Sequence, residues 1–289
     1  ETVMATQPRP TSGYPRFRFD GACPSMNFPY TDVGVDHTKL NQPALDSLIQ
    51  DVSQRVIASL RVDPFYTVVK TSGPSEDWAL TVGMCRAIAN TRPHRKGTTE
   101  ESRNRISLTK VEINEAKASK SGGSTTFSRT NQPLSLHTDS SFKAAPQELV
   151  AFQMVRDDAR GGDTLMLPLG RLLAQLDSST QAELAKPVFP FSKGKLPILW
   201  ANNGVPRVRY YSAQLANAES GGLTPSAHHA LARLEEVLGD ESLHDRFHLQ
   251  PGETLVMNNL KVLHGRTGFA ENSQRLMYRV RVHSGCLDG

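Results

Sequence analysis

The stretch LSLHTDSSF (residues 134–142) opens the part of the chain that decides the fold, because seven more short β-type runs follow it. These runs are ELVAFQMV (148–155), DTLMLP (163–168), VFPF (188–191), RVRYY (207–211), DRFHL (245–249), ETLVMNN (253–259) and RLMYRVRVH (275–283). Turn residues separate them, and helical patterns interrupt them only near 168–185 and 225–238. Many short strands with few helices between them predict a mostly β fold with flanking helices (α+β), built as a sandwich or a jelly roll.

Helical and strand-like patterns fill residues 41–130, ahead of this series. NQPALDSLIQDVSQRVIASLR (41–61) carries apolar side chains at helical spacing and predicts a first helix, and a second is expected around 76–91. Residues 1–40 are rich in Pro, Gly and Thr and predict an extended N-terminal arm. A length of 289 residues suits one large domain or two small ones, and we expect a single domain over 1–289.

Two polar segments, at 92–105 and 114–126, bracket the strand-like SLTKVEI (107–113). Segments of this composition form either plain surface loops or a mobile cover over a site. Both remain candidates for a lid.

The composition excludes several classes of protein. With 38% hydrophobic and 21% charged residues, the chain is neither a collagen, a coiled coil nor a wholly disordered polypeptide. No apolar run approaches 18 residues, so we expect no membrane span. The net charge of +4 is spread along the chain without a dense basic stripe, so we expect no nucleic-acid partner. Three scattered cysteines, Cys23, Cys85 and Cys286, argue against a disulfide framework and predict a cytoplasmic protein.

His137 and Asp139 suggest a metal site. Residues two apart in a strand point to the same face, so this imidazole and carboxylate can converge, and His264 in NNLKVLHGR is the best third ligand. Two histidines and one carboxylate leave three coordination positions open, which is the ligand set of non-haem Fe(II) oxygenases. An isolated H-x-D also arises by chance, and His264 also suits a turn. The same ligands could serve a zinc or manganese hydrolase or isomerase on a cupin-like barrel.

The strand RLMYRVRVH has one cationic face. Arg275, Arg279 and Arg281 alternate with apolar residues over this run. Such a face either lies in water on an edge strand or turns inward to meet anions, since a buried charge without a partner is costly. Arginine binds carboxylates well through its fork of donors. RVRYY (207–211) either adds contacts of this kind or forms a surface strand.

Five motifs together resemble the taurine dioxygenase and clavaminate synthase-like family of Fe(II)- and 2-oxoglutarate-dependent oxygenases. In chain order they are His137-x-Asp139, GGDT (161–164), His264-Gly265-Arg266, Arg275 and Arg279. The spacings also match, because Thr164 comes 27 residues after His137 and Arg275 comes 11 residues after His264. The resemblance is clear from about 134 to 283 and vague before residue 130.

The resemblance implies a double-stranded β-helix, or jelly-roll, core over residues 131–289 that carries the metal site. His137, Asp139 and His264 would bind Fe(II) and act as the catalytic centre with O2. Arg275 would pair with the distal carboxylate of the cosubstrate 2-oxoglutarate, and the Thr164 hydroxyl would assist it.

The resemblance also implies how a substrate is bound and oxidised. Arg279 lies where the taurine enzyme uses an arginine for the anionic end of its substrate, and Phe142 completes an H-x-D-x-x-F pattern beside the metal or serves only the core. The expected reaction oxidises a C–H bond of a small anionic substrate, releasing succinate and CO2. A free amino acid or an amino-acid-derived metabolite of specialised metabolism is the first expectation, and a sulfonate or other anionic nutrient is the second. A non-catalytic small-molecule binding barrel is a further alternative, and the oligomeric state stays open.

Overall fold

A six-stranded and a four-stranded β-sheet pack face to face in the structure, a computed structural model that describes residues 28–89, 107–113, 130–158, 160–215 and 222–287. The strands are β1 (Tyr30–Asp32), β2 (Tyr66–Lys70), β3 (Ser107–Val111), β4 (Leu134–His137), β5 (Leu149–Arg156), β6 (Thr164–Pro168), β7 (Phe189–Phe191), β8 (Gly194–Leu196), β9 (Leu199–Asn202), β10 (Val205–Val208), β11 (Asp245–Phe247), β12 (Glu253–Asn258), β13 (Val262–Arg266) and β14 (Leu276–Val282). The helices are α1 (Gln42–Leu60), α2 (Ala79–Ala89), α3 (Leu169–Ala174), α4 (Ser178–Leu184), α5 (Ser212–Leu215) and α6 (Pro225–Gly239).

The strand order is that of a jelly roll. The larger sheet runs β1-β2-β12-β5-β14-β3 and the smaller runs β11-β6-β13-β4, so strands late in the chain lie between early ones. All pairings in these sheets are antiparallel except β1 with β2. Apolar side chains from both sheets, including Met154, Met166 and Leu255, form the shared core. The predicted mostly β fold with flanking helices and a jelly-roll core is confirmed.

Helices cover the outer faces of both sheets. α1 and α2 pack on the six-stranded sheet, where Val56 and Ile88 join a buried cluster with Val280. α3, α4 and α6 pack outside the four-stranded sheet around Leu167 and Leu263. No helix in the described ranges is long and apolar enough to cross a membrane.

The helices begin where capping residues allow. α1 starts after Asn41, whose side chain accepts a hydrogen bond from the Ala44 amide, and it occupies nearly all of the predicted 41–61. The region predicted as one helix near 168–185 contains two, α3 and α4. The break occurs because Asp177 accepts hydrogen bonds from both the amide and the hydroxyl of Thr180 and so starts a new helix.

The structure decides between the two alternatives for RVRYY (207–211), whereas other predicted segments fall outside the described residues. RVRYY is not a surface strand, because β10 ends at Val208 and the side chains of Arg207 and Arg209 are buried. The Arg209 guanidinium lies 4.2 Å from the Trp200 ring centroid and donates to the carbonyls of Lys143 and Ala144. The proposed lid segments at 92–105 and 114–126, and the arm before residue 28, fall outside the described residues.

A buried ion pair connects β11 with α3 and also contacts β2. Asp245 in β11 accepts hydrogen bonds from both terminal nitrogens of Arg171 in α3, at 2.7 and 3.1 Å, and from the Tyr66 hydroxyl in β2, at 2.7 Å. Asp245 and Tyr66 are almost fully buried. The carboxylate therefore satisfies two polar groups from separate elements that have little access to water.

Asp245→Ala is expected to lower the free energy of unfolding by about 3 kcal/mol, because one buried hydroxyl and one largely buried cation lose their partner. Urea denaturation followed by circular dichroism measures this change. Asp51→Ala, which breaks the exposed pair between Asp51 and Arg55, is the control and should leave stability unchanged. Equal midpoints for Asp245→Ala and the unmodified protein would show that the ion pair adds no net stability.

Candidate active site

Two histidines meet where β4 pairs with β13. His137, the last residue of β4, is directly opposite His264 in the antiparallel register, and their ring centroids are 4.3 Å apart. Asp139 joins them, with Oδ1 at 3.6 Å from His137 Nε2 and 3.8 Å from His264 Nε2. All three side chains are buried, and one ligand atom from each lies within 4.8 Å of the others.

Asp139 reaches this point by a route that strand alternation does not predict. β4 ends at His137, so Asp139 lies in the turn that follows, where Ser140 takes a positive φ of 58°. The expected convergence of imidazole and carboxylate occurs, but the expected reason, a shared strand face, is wrong. The turn is held instead by tertiary hydrogen bonds.

The Asn259 side chain makes three hydrogen bonds here, two of them to the Asp139 backbone. Its side-chain oxygen accepts from the Asp139 amide at 2.8 Å, and its side-chain nitrogen donates to the Asp139 and Gln147 carbonyls, both at 2.9 Å. Asn259 is fully buried. It thus holds the Asp139 backbone through both its amide and its carbonyl. Sequence reasoning missed this residue, and a 120-residue separation leaves no local signal for it.

The protonation states suit a divalent cation. The Ser135 carbonyl can only accept, so His137 Nδ1 carries the hydrogen of their 2.9 Å bond, and Nε2 is the ring nitrogen that faces Asp139. Burial and the neighbouring His137 lower the pKa of His264 to about 3. Burial alone would raise the pKa of Asp139, but the charge of Arg279 holds it well below its usual range. Two imidazoles, which bind metals in their neutral form, and one carboxylate therefore fit Fe(II).

A cavity of about 510 Å³, including its open mouth, adjoins the three ligands. Besides the ligands, its lining residues are Val111, Leu134, Phe152, Thr164, Leu255, Gly265, Arg266, Arg275, Met277 and Arg279. Most of this wall is apolar, while the arginines supply cationic groups. That combination suits a small anionic molecule bound beside the metal.

Arg275 is the most deeply placed cation of the cavity. It is 4% exposed, its Nε has no hydrogen-bond partner, and its guanidinium carbon lies 5.3 Å from the Phe269 ring centroid. Gly162 makes room for it, since a Cβ there would stand 3.0 Å from Arg275 Nε. Thr164, at the start of β6, also lines this cavity. The structure thus brings together the two residues expected to bind 2-oxoglutarate.

Sequence reasoning assigned no role to Arg266, which lines the same cavity. Its guanidinium carbon lies 4.5 Å from the Phe269 ring centroid, so this ring contacts both Arg266 and Arg275. Burial and the charge of Arg275 lower the pKa of Arg266 to about 9.

The two expected substrate contacts differ in position. Arg279 lines the cavity, and its Nη1 lies 3.3 Å from Asp139 Oδ2. Phe142 packs instead against the hydrophobic cluster beneath the helices and is not among the described residues that line the cavity. Tyr211, at the end of RVRYY, lies beside one of the metal ligands, with its ring centroid 5.1 Å from that of His137.

His248 and two aspartates, Asp157 and Asp163, form a charged clamp, and Asp163 directly precedes Thr164 in the chain. His248 Nδ1 lies 2.9 Å from Asp163 Oδ1, and its Nε2 lies 2.9 Å from Asp157 Oδ2. Hydrogen bonds to Asp157 and Asp163 raise the pKa of His248 to about 9, so the ring is an imidazolium at neutral pH and donates to both carboxylates. The clamp connects the residue after β5 with the residue before β6.

The stability that this clamp contributes is expected to depend on pH. The folded pKa of about 9 exceeds the ordinary value of 6.5, so the contribution is complete below pH 6.5 and is lost as pH rises through 9. After a discount for solvent screening, we expect the loss to be about 1–2 kcal/mol. Urea denaturation at pH 6.5 and 9.5 gives the free energies of unfolding of the unmodified protein and of His248→Gln. The difference between the two proteins should be smaller at pH 9.5 by this amount. His228→Gln, at an exposed histidine of α6, should show no such difference.

The fold and the site together define the class of protein. A jelly roll that holds two histidines and one aspartate beside a buried arginine is typical of non-haem Fe(II)- and 2-oxoglutarate-dependent oxygenases. Residues 79–281 match the model of the family described as taurine catabolism dioxygenase TauD, TfdA family, and the chain belongs to this family. The protein is therefore a non-haem Fe(II)- and 2-oxoglutarate-dependent dioxygenase, with iron as its metal.

Solved structures with the same fold include two oxygenases. An asparagine oxygenase in complex with Fe(II), 2S,3S-3-hydroxyasparagine and succinate has a TM-score of 0.61 and 17% sequence identity, over 83% of each chain. The non-heme iron oxygenase OrfP in complex with Fe and alpha-ketoglutaric acid has a TM-score of 0.57 and 15% identity, over 84% of this chain and 85% of that one. A further OrfP structure, with Fe, succinate and (3S)-hydroxy-L-Arg, has the same TM-score and identity. No curated protein sequence matches the chain significantly.

Proposed function

We propose that this dioxygenase hydroxylates, or otherwise oxidises, a C–H bond of a small anionic substrate, most simply an amino acid or an amino-acid-derived metabolite. The observation that carries the proposal is the buried cluster of His137, Asp139 and His264 beside the buried Arg275. The choice of an amino acid is supported by the two similar oxygenases, whose structures contain hydroxyasparagine and hydroxy-L-Arg.

The side chains of the site have separate roles in binding the metal and the cosubstrate. His137 and His264 would bind Fe(II) through Nε2 and Asp139 through a carboxylate oxygen. Iron, 2-oxoglutarate and O2 together supply the oxidising power for C–H cleavage, with release of succinate and CO2. Arg275 would bind the distal carboxylate of 2-oxoglutarate with its fork of donors, and Thr164 would add a hydroxyl.

The remaining residues orient and shield. Asn259 holds Asp139 in place, and the apolar wall that includes Phe152, Leu255 and Met277 limits the access of water to the metal side of the cavity. Arg279 would bind an acidic group of the substrate and so direct its C–H bond towards the metal. We also propose that a single oxygenase domain spans the chain and that it acts in the cytoplasm, which suits the buried free thiols of Cys85 and Cys286.

Succinate release from 2-oxoglutarate tests the proposal. Purified protein with Fe(II), ascorbate and O2 is screened against single amino acids and small sulfonates, and mass spectrometry identifies the product. We expect at least one compound to accelerate succinate release and to gain an oxygen atom or lose two hydrogen atoms. Absence of both iron binding and any 2-oxoglutarate turnover would contradict the proposal.

A further inference from the structure

Arg281 lies next to Arg279, which lines the cavity, but Arg281 is not itself among the described lining residues. Both arginines belong to β14 and are two residues apart, so they share one face of the strand. Their Nη1 atoms lie 3.3 Å (Arg279) and 3.7 Å (Arg281) from the same oxygen, Asp139 Oδ2. Two donors that approach one oxygen this closely are at most about 7 Å apart. A short molecule can therefore reach both guanidinium groups at once.

Two lysines extend this cationic surface towards solvent. Lys143 is half-buried, and burial together with the charges of Arg281 and Lys193 lowers its pKa. Lys193 is exposed, with its Nζ 5.4 Å from the Phe142 ring centroid. We call Arg279, Arg281, Lys143 and Lys193 the cationic wall. It leads from the metal ligands to the protein surface.

The cationic wall has little negative charge opposite it. Within the described ranges, Asp139 is the one carboxylate within 4 Å of Arg279 or Arg281, and none lies this close to Lys143 or Lys193. No described carboxylate pairs with Arg275 at this range either, although Asp157 and Asp158 counter part of its charge from further away. Among the described residues, the cationic wall thus relies on Asp139 alone for a close negative charge.

Binding of the metal would reduce this negative charge further. Asp139 would then be a metal ligand and would no longer serve Arg279 and Arg281 alone. Arg279 and Arg281 would then keep two positive charges with no counter-charge of their own. Holding such cations half-buried costs free energy unless a ligand neutralises them. One acidic group on the substrate would neutralise only one of the two.

We propose that the primary substrate is a small diacid, such as an amino acid with a carboxylate or phosphate in its side chain, whose two acidic groups bind to Arg279 and Arg281. This inference rests on the proposed function and narrows its substrate class. Lys143 and Lys193 attract the diacid to the mouth of the site. Arg279 alone would be enough to bind a substrate with one acidic group. Arg281 selects for a second acidic group on the same molecule.

Matched pairs of compounds test the diacid directly. L-aspartate is compared with L-asparagine, L-glutamate with L-glutamine, and O-phospho-L-serine with L-serine, at equal concentrations. Calorimetry on protein loaded anaerobically with Fe(II) and 2-oxoglutarate measures binding, and succinate release in air measures turnover. We expect at least one acid to bind about 10- to 100-fold more tightly than its neutral partner, as loss of a charge-assisted hydrogen-bonded pair implies.

Variants of the cationic wall show whether Arg281 is responsible. Arg281→Met should weaken binding of the diacid about 10- to 100-fold and bring it close to that of the neutral partner, while Arg281→Lys should retain part of the preference. The dissociation constant of 2-oxoglutarate should change less than about twofold, since Arg275 holds it elsewhere. Lys195→Met, at an exposed lysine of β8, is the matched control and should change neither constant.

Two results would overturn the inference: neutral partners that bind as tightly as the acids, or no binding by any of the three acids. Turnover of 2-oxoglutarate without added substrate keeps these results separate from the proposed function. If that turnover persists, the enzyme class stands and only the diacid is wrong. If the unmodified protein neither binds iron nor consumes 2-oxoglutarate, the proposed function fails, and calorimetry on the protein without metal or cosubstrate then decides whether a diacid binds.

Discussion

Asp139→Ala is expected to lower 2-oxoglutarate-dependent succinate release at least about 1000-fold, because the protein loses the single carboxylate among its three metal ligands. The affinity for Fe(II) should fall as well, since imidazoles bind a metal in their neutral form and provide no negative charge. Two measurements follow the effect: succinate release with Fe(II), ascorbate and O2, and a titration of the apoprotein with Co(II) as a coloured substitute for iron.

Removing Asp139 also leaves Arg279 and Arg281 without their shared partner, so the folded state itself could change. His264→Gln is therefore the second variant, because it removes a ligand without removing that carboxylate, and the same loss of activity is expected. His229→Ala, at an exposed histidine of α6, is the control and should behave like the unmodified protein. Full activity in either ligand variant, with circular dichroism showing the native fold, would refute the metal site.

Arg275→Met is expected to raise the KM for 2-oxoglutarate by about 30- to 1000-fold while the affinity for Fe(II) stays close to that of the unmodified protein. The buried guanidinium is placed to form paired, charge-assisted hydrogen bonds with the distal carboxylate, and losing such a contact typically costs about 2–4 kcal/mol. Methionine keeps the apolar contact with Phe269 and limits the cavity that a smaller residue would leave.

Arg275→Lys separates charge from geometry, since lysine keeps the positive charge but lacks the planar fork. Its KM for 2-oxoglutarate should lie between those of the unmodified protein and Arg275→Met. Arg156→Met, at the exposed end of the neighbouring strand β5, is the matched control. An unchanged KM for 2-oxoglutarate in Arg275→Met would remove the residue from the cosubstrate site. Activity without any need for 2-oxoglutarate would favour the alternative of a metal-dependent hydrolase or isomerase.

Much of this site was predictable because its residues stand on strands with strong local patterns. β4, β6, β13 and β14 each appear in the sequence as short apolar or alternating runs, and their functional residues stand on these strands or directly beside them. The family motifs added the order and spacing that a single H-x-D lacks. Phe142 shows the limit, because completing a motif did not place its ring in the cavity.

The sequence by itself determined the mostly β architecture through local periodicity and indicated the candidate ligands, while the resemblance to a known family implied the shared role of Thr164 and Arg275. Only the tertiary structure decided that Asp139 follows the strand instead of belonging to it, that Asn259 holds it, and that Arg281 faces the same carboxylate as Arg279. These relations depend on which strands become neighbours. Strand pairing brings together residues more than one hundred positions apart, and a local pattern records which face of a strand is buried but not what lies opposite it.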